Sequence, residues 1–192
     1  MNNITIPLNA FKAVQKAQST EQARYYICGV FVEDETLVAT NGSVLLRYTL
    51  GDDATGVAEP FILQVDPNEK AMKPKDSDHV YMHVDLERLI VETRYHNPST
   101  GEVGKRLGVC ACVVIDGTFP TYRRVIPDNT NATPCNDFAY DPAHIAIFAA
   151  AAKIAGANKA LKIIRGTTSG APANVHFSGK PELDGVIMPY KF

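Results

Sequence analysis

Residues Ile115 to Pro127 read IDGTFPTYRRVIP, a composition unlike that of an ordinary flexible loop. An apolar, strand-like run stops at Asp116-Gly117, and aromatic residues, prolines and two adjacent arginines follow. Proline restricts the backbone, and a tyrosine such as Tyr122 can anchor on apolar surface while its hydroxyl stays polar. In an extended chain Arg123 and Arg124 would point to opposite sides, one towards an ion pair and the other towards a cleft. The composition predicts a stiff, basic segment between two folded units, which we call the connector.

The chain before the connector contains a strand, a helix and several further strands. NITIPL is typical of a short strand, and Asn9 can cap a following helix in which Phe11 and Val14 recur at helical spacing. RYYICGVFVED and FILQVD are predicted strands. TLVATNGSVLLRYTL is predicted to form two strands around Asn41-Gly42, a dipeptide that favours tight turns.

The chain after the connector repeats this order. FAY is a predicted strand, Asp141-Pro142 is typical of a helix start, and Gly156 is typical of a helix end. ALKIIRGT, ANVHFSG and GVIMPYKF are three more predicted strands. A repeated strand–helix–strands unit predicts the α+β class, with antiparallel sheets and the helices on one face.

The middle of the chain is rich in strands and loops. PNEKAMKPKDSDH, residues 67–79, is predicted to be a polar loop, and VYMHVDLERLIVETRY to form strands with a bend. RLGVCACVVID is predicted to be a buried strand that leads into the connector. We therefore divide the chain into a domain at 1–127, a linker at 128–136 and a smaller unit at 137–192.

The composition argues against several classes of protein. The chain has 192 residues, a formal net charge of −2 and a pI of about 6.2, less basic than a protein that binds nucleic acid over its whole surface. Its first residues lack the pattern of a signal peptide, and no stretch has the apolar length of a membrane span. Four cysteines are sparse for a secreted scaffold, so we expect reduced thiols and a cytoplasmic protein.

No pattern typical of catalysis or of metal binding is found. The chain lacks a phosphate-cradling loop, a GxSxG elbow and an HExxH helix, so we expect neither an enzyme nor a cofactor. His79 and His83 would be about 13 Å apart in a strand, too far to hold one ion together. Cys110 and Cys112 share a strand face but have no second pair at ligand spacing, which favours packing over metal binding.

Lysines near the two predicted helices form a candidate DNA-facing set. Lys12 and Lys16 share one face of the first helix, and Lys153 and Lys159 flank the end of the second. Such side chains could meet phosphates without reading sequence. The alternative is that they solvate the outer faces of two helices, and the sequence leaves both interpretations open.

The connector resembles one known family. IDGTFPTYRRVIP is similar to DGRFPDYRRVLP, which joins the second and third domains of the bacterial DNA polymerase III beta subunit, the replicative sliding clamp. Three more stretches resemble that family in the same order: ARYYICGVFVE its RYYLNGMLFE, LVATNGSVLL its VATDGHRLA, and GVIMPYKF its terminal YVVMPMRL. The similarity covers the second domain (residues 1–127), in which one helix of the family is missing, and the C-terminal half of the third (residues 137–192). We interpret the chain as a shortened relative, with a phage or mobile element as its suggested source.

The resemblance implies a peptide-binding pocket. In the family these four stretches together receive short motifs from polymerases, the clamp loader and repair proteins. Apolar walls with a few polar groups suit such a ligand, and methionine adapts to varied ligands. Carried over position by position, the pocket residues would be Arg24, Ile27, Thr40, Gly42, Ser43, Val44, Leu45, Pro120, Arg124, Val125, Met188, Pro189 and Tyr190. The connector would then be both a strap between domains and one wall of a docking site.

The sequence departs from the family at two places in this pocket. Ser43-Val44 stand where the family has His-Arg, which removes a charge from the rim, and Tyr190 stands where it has a second methionine. Peptide specificity can therefore differ from that of the family.

The resemblance leaves two functions open. A sliding clamp would be a homo-oligomeric ring around duplex DNA that tethers a polymerase. Family rings contain more domain-like units than this chain offers, so several copies would be needed. The alternative is a peptide-binding module without a ring, acting as a decoy or regulator of clamp-binding proteins.

Overall fold

A computed structural model describes residues 4–51, 56–74, 78–127, 139–158, 160–165 and 170–190. Within these residues the strands form two antiparallel sheets, and two α-helices pack against them, so the predicted α+β class is confirmed. In chain order the elements are β1 Ile4–Pro7, α1 Leu8–Gln15, β2 Val30–Val32, β3 Thr36–Thr40, β4 Val44–Thr49, β5 Phe61–Gln64, β6 Val80–Asp85, β7 Ile90–His96, β8 Val103–Ala111, β9 Val113–Ile115, α2 Pro142–Ala155, β10 Leu161–Ile164, β11 Ala173–Phe177 and β12 Leu183–Ile187.

The larger sheet joins the two parts of the chain that flank the connector. The small sheet has the strand order β1-β6-β7-β8, and the large sheet has the order β10-β11-β12-β4-β3-β2-β5-β9. β12 pairs with β4 so that Val186 lies opposite Leu45. Across the same junction Arg47 and Asp184 form a bidentate ion pair, with Nε–Oδ1 at 2.9 Å and Nη2–Oδ2 at 2.6 Å. The linker assigned to 128–136 lies outside the described residues, and the domain division stays a prediction.

Both helices bury apolar faces in one core that the two sheets share. α1 contacts α2, strands β3 and β4 of the large sheet, and strands β1 and β6 of the small sheet. Phe11 of α1 and Phe148 of α2 are fully buried there. α2 follows its sequence signals: Asp141 Oδ1 accepts a hydrogen bond from the Ala143 N–H at 2.8 Å, and the helix ends at Gly156 in the left-handed conformation.

The cap predicted for α1 is wrong. The helix begins at Leu8, with Pro7 in the N-cap position, so Asn9 lies inside the first turn. There the Asn9 Oδ1 accepts a hydrogen bond from the neighbouring Ala10 N–H at 2.7 Å. β1 runs directly into the helix because Pro7, with φ −57° and ψ 124°, makes the change from strand to helix in a single residue.

Three predicted strands differ in the structure. Most of RYYICG is a 3-10 helix at Gln22–Ile27, closed by a hydrogen bond from the Cys28 N–H to the Tyr25 carbonyl at 2.9 Å, and the strand is only β2. The segment predicted as a buried strand is largely exposed, because β8 lies at the edge of the small sheet. Of the predicted strand FAY, the described part makes only an isolated bridge between Ala139 and Tyr190.

The segment predicted as a polar loop contains a short buried turn. A 3-10 helix at Lys70–Met72 places Ala71 and Met72 in the core. The Ala71 carbonyl accepts a hydrogen bond from Thr93 Oγ1 at 3.1 Å, which fixes this turn on the inner face of the small sheet. None of the described helices is long and apolar enough to cross a membrane.

Candidate functional site

The face of the large sheet that points away from the helices carries a second, smaller apolar cluster, and we call this the outer face. Val38, Leu45, Ile62 and Val186 are its buried residues on the strands. They lie on four strands, because strand pairing brings β12, β4, β3 and β5 into one sheet. This cluster forms the floor on which the connector packs.

The connector is pinned to the outer face by aromatic contacts. Phe119 stacks on Phe31 of β2, with ring centroids 4.7 Å apart and planes within 5°. Tyr122 meets the same ring edge-on at 6.4 Å. The connector is not extended as predicted but forms a 3-10 helix at Tyr122–Val125, in which the Arg124 N–H donates to the Thr121 carbonyl at 3.2 Å.

A carboxylate beneath the connector holds it in place. Tyr122 Oη donates a hydrogen bond to Glu33 Oε2 at 2.7 Å, and Arg123 Nη2 donates to the same oxygen at 2.7 Å. The Arg123 guanidinium also lies over the Tyr122 ring, 4.7 Å from its centroid. Burial and the Glu33 contact both raise the pKa of Tyr122, so the phenol stays protonated and remains a donor. The predicted ion pair in the connector is therefore made by Arg123.

The hairpin between β3 and β4 forms the opposite wall. Asn41 Oδ1 accepts hydrogen bonds from the backbone N–H groups of Ser43 at 2.9 Å and Val44 at 2.8 Å. Gly42 has φ +94°, a conformation that favours glycine, so the predicted tight turn is confirmed. The Met188 N–H donates to the Ser43 carbonyl at 2.9 Å, which ties the C-terminal segment to this hairpin.

The 3-10 helix at Gln22–Ile27 supplies a third wall and a charge. Arg24 Nε donates to Glu21 Oε2 at 2.8 Å, and Arg24 Nη2 makes a second contact with the same carboxylate. A Cβ added at Gly42 would lie 2.6 Å from Arg24 Nη1, so the guanidinium rests directly on the hairpin turn. Arg24 is thereby fixed at the rim.

These three walls enclose an open cavity of about 240 Å³ over the outer face. Most of the residues that the resemblance implied lie in its lining, namely Arg24, Ile27, Thr40, Gly42, Ser43, Val44, Leu45, Pro120, Val125 and Met188. The lining also contains residues that the sequence analysis missed, namely Tyr26, Thr121, Tyr122 and Val186. Val186 and Leu45 are directly opposite in the strand register, a pairing that no local sequence signal reveals.

Three implied residues do not line the cavity. Arg124 is exposed. In the 3-10 turn of the connector, the ion pair with Glu33 is made by its neighbour Arg123. The segment after Met188 leaves the cavity, since the Tyr190 N–H donates to the Ala139 carbonyl at 2.7 Å and the Tyr190 side chain is 58% exposed. Pro189 lies between these two residues and is outside the lining as well.

The structure describes three of the four lysines predicted to face DNA. Lys12 is half-buried, Lys16 and Lys153 are exposed, and Lys159 lies outside the described residues. Burial lowers the pKa of Lys12, and the nearby charges of Lys16 and Lys73 lower it further. Lys16 and Lys73 are thus near enough to repel the Lys12 charge, and we call these three lysines the basic cluster. Lys73 was not among the predicted lysines because it belongs to a separate segment.

The lining of the cavity combines apolar surface with a few polar groups. Its floor and walls are mainly apolar, with a few fixed polar groups at the rim, which suits an extended ligand with apolar side chains. Among the described residues no three His, Cys, Asp or Glu side chains lie close enough together to hold a metal ion. Cys110 and Cys112 are buried, and burial raises the pKa of Cys110 to about 11, so that thiol is a packing group.

Comparison with solved structures identifies the fold. The chain superposes on the DNA polymerase sliding clamp of Pseudomonas aeruginosa with a TM-score of 0.62 at 15% identity, covering 99% of this chain and 66% of that one. The clamp of Bartonella birtlesii, solved bound to griselimycin, gives 0.60 at 18% identity with the same coverage. The clamp of Caulobacter crescentus gives 0.61 at 18%, covering 99% and 65%.

The chain thus has the sliding-clamp fold, and the resemblance is confirmed at that level. It spans about two thirds of the length of the clamps it matches. By sequence, no family model matches the chain, and no curated protein matches it.

Proposed function

We propose that this chain is a non-catalytic, clamp-like processivity factor that tethers a DNA polymerase or other replication proteins through the cavity over the outer face. The observation that carries the proposal is the convergence of four separate segments on one apolar cavity. These are the 3-10 helix at Gln22–Ile27, the β3–β4 hairpin, the connector and the segment around Met188. The resemblance implied that these same four stretches would meet.

The cavity suits a short peptide with apolar anchors. Burying one large apolar side chain contributes about 1.5–3 kcal/mol. Two such anchors contribute about 3–6 kcal/mol and each hydrogen bond adds about 1 kcal/mol, and the cost of ordering the peptide is subtracted from that sum, so we expect weak, reversible binding. The ligand is therefore a flexible tail of a polymerase, loader or repair protein that carries a clamp-binding motif.

A pair of matched variants tests the docking site. Met188 lines the cavity and is 39% exposed, so Met188→Ala removes a peptide contact while the fold survives. We expect this variant to bind a labelled clamp-motif peptide about tenfold more weakly in fluorescence anisotropy, equivalent to about 1.4 kcal/mol. Tyr190→Ala is the control, because Tyr190 is close in sequence but outside the lining. If the peptide binds the wild type and Met188→Ala with equal affinity, the cavity is not the docking site.

Ring formation is the second part of the proposal. A chain that spans two thirds of a clamp would need further copies to encircle DNA. β8 and β9 lie at sheet edges and carry apolar side chains that are about half exposed, namely Val103, Leu107, Val109 and Val113. Edge strands with exposed apolar side chains favour pairing with another chain. We assign these two edge strands, β8 of the small sheet and β9 of the large sheet, as the surface that meets a second copy.

The basic cluster beside α1 supports contact with duplex DNA. Lys12, Lys16 and Lys73 would meet phosphates without sequence preference. Changing Lys12 and Lys16 to glutamate should weaken retention on DNA. It should also reduce the magnitude of the slope of log affinity against log salt concentration by about 2. The single change Lys162→Glu, on an exposed position of β10, serves as a charge control. Unchanged retention in the double variant would remove this surface from the proposal.

A module without a ring is the alternative function. The described part of α2 that faces solvent is poor in charge, with Ala143, Ala146 and Ala149 exposed beside Lys153. The formal net charge of −2 also favours a protein that binds peptides more than DNA. Such a module would recruit or sequester clamp-binding proteins. It predicts peptide binding that depends on Met188 and no effect of lysine reversal.

A further inference from the structure

The far end of the connector is held by a residue that does not line the cavity. Asn174 lies on β11 between Ala173 and Val175, whose side chains are buried in the core that the two helices share. Because side chains alternate along a strand, Asn174 points to the outer face of the large sheet. There its Nδ2 donates a hydrogen bond to the Pro127 carbonyl at 2.9 Å. The last residue of the connector is thereby tied to β11.

The strand register places Asn174 beside the floor of the cavity. Asn174 lies opposite Val186 of β12, and Val186 lies opposite Leu45 of β4. Val186 and Leu45 both line the cavity, whereas Asn174 is outside its lining. The anchor of the connector is therefore one strand away from the surface on which a peptide would rest.

The contact between Asn174 and the connector is buried. Asn174 is only 6% exposed, and a buried amide that loses its hydrogen-bond partner is costly. Its partner is a backbone carbonyl that lies 47 residues earlier in the chain. The hydrogen bond forms only when Pro127 is in place, so it favours the docked position of the connector.

The connector is thus held at two points, with a wall of the cavity between them. Near its middle, Tyr122 Oη donates to Glu33 Oε2 at 2.7 Å, and at its end Pro127 accepts from Asn174. Val125 lies between these two contacts and lines the cavity. Glu33 belongs to the part of the chain before the connector and Asn174 to the part after it, so the wall is fixed only when both parts are docked.

We propose that Asn174 is a positioning residue for the peptide site, because its hydrogen bond to Pro127 fixes the wall that the connector contributes to the cavity. This role rests on the proposed function, since it concerns the same cavity. A wall that is ordered before binding spares the peptide the cost of ordering it. If loss of the anchor frees even one residue of the wall, the affinity for peptide falls by about tenfold.

Two variants separate the hydrogen bond from packing. Asn174→Ala removes the side chain beyond Cβ, whereas Asn174→Leu keeps a side chain that branches at Cγ and removes only the polar atoms. We expect both to bind a labelled clamp-motif peptide about tenfold more weakly than the wild type in fluorescence anisotropy. His176→Ala is the matched control and should bind as the wild type does, because His176 lies on the same strand and face but is exposed. Wild-type affinity in Asn174→Leu would show that the hydrogen bond has no role, and would overturn the proposal.

Hydrogen exchange on the free protein tests the anchor without any peptide. The Arg124 N–H donates to the Thr121 carbonyl within the connector, at 3.2 Å. We expect this amide to exchange at least about tenfold faster in both Asn174 variants, while the paired amides of β11 exchange as in the wild type. Such a local response distinguishes positioning from a general loss of stability. Unchanged exchange in the connector would overturn the proposal, as would faster exchange with unchanged affinity for the peptide.

The same measurements distinguish failure of this role from failure of the proposed function. Circular dichroism checks that each variant folds, and if one Asn174 variant does not fold, the other decides. If Met188→Ala weakens peptide binding and the Asn174 variants do not, the proposed function stands and the positioning role is wrong. If the wild type binds no peptide, the proposed function fails, and exchange in the connector still decides whether Asn174 holds it.

Discussion

Replacing Phe119 by alanine should weaken peptide binding even though Phe119 does not line the cavity. Phe119 is 7% exposed and stacks on Phe31, and the next residues of the connector, Pro120 and Tyr122, form one wall. Removing a buried phenylalanine costs about 3–5 kcal/mol. Because the connector lies at the surface and can settle into the space, we expect a loss near the lower end, about 3 kcal/mol.

The effect on affinity follows from the loss of order in that wall. Fixing the backbone of one residue costs about 1–2 kcal/mol. If Phe119→Ala frees even one residue of the wall, the peptide must supply that energy on binding, and its affinity falls about tenfold.

Urea titration measures the stability change and fluorescence anisotropy measures the peptide affinity. Tyr25→Ala is the matched control, because Tyr25 is an aromatic residue near the connector that is 50% exposed. We expect its stability to change by less than about 1 kcal/mol. A Phe119→Ala protein that is folded, destabilised as expected and yet binds peptide with wild-type affinity would refute the connector as a wall of the site.

Three further predictions concern stability. Gly42→Ala should cost about 1–3 kcal/mol in thermal unfolding, because the residue has φ +94° and its new Cβ would meet Arg24; an unchanged melting temperature would contradict this. Asp184→Asn should cost about 1–2 kcal/mol, since the ion pair with Arg47 is only partly exposed and joins β12 to β4; a loss below about 0.3 kcal/mol would mean the pair is dispensable. Because burial raises the pKa of Cys110 from 9.0 to about 11, stability should be intact below pH 9 and fall as pH rises to 11, and Cys110→Ala should fall less steeply; equal slopes would contradict the burial.

Segments governed by local chemistry were predictable from the sequence. Asp141-Pro142 and Gly156 bound α2 as expected, because caps act within one turn of the helix. Asn41-Gly42 marks the β3–β4 hairpin for the same reason, since the turn is set by the backbone freedom of glycine and by the Asn41 side chain.

Segments governed by tertiary contacts were not predictable. RYYICG has the composition of a strand, yet it forms a 3-10 helix whose Ile27 packs into the cluster under the connector. β8 has the apolar residues of a buried strand, but its place at a sheet edge leaves Leu107 and Val109 about half exposed. Sequence periodicity reports the face of a strand and carries no information on its position in the sheet.

The candidate site was likewise predictable only where local sequence decides the contact. The resemblance led to the hairpin, the connector and Met188, because these stretches keep recognisable sequences. Val186 was missed, since it enters the cavity only through its register opposite Leu45. Arg124 and Tyr190 were expected in the lining because the family residues were carried over position by position. That procedure takes no account of the 3-10 turn in the connector, or of the way the chain leaves the cavity after Met188.

The claim that this chain acts as a sliding clamp depends most directly on whether copies of it close a ring. Light scattering on the full chain across a wide range of protein concentration measures the native mass. We expect a single closed oligomer whose mass is independent of concentration over the micromolar range. A monomer at every concentration would contradict the ring, and peptide binding would then belong to a module without a topological hold on DNA.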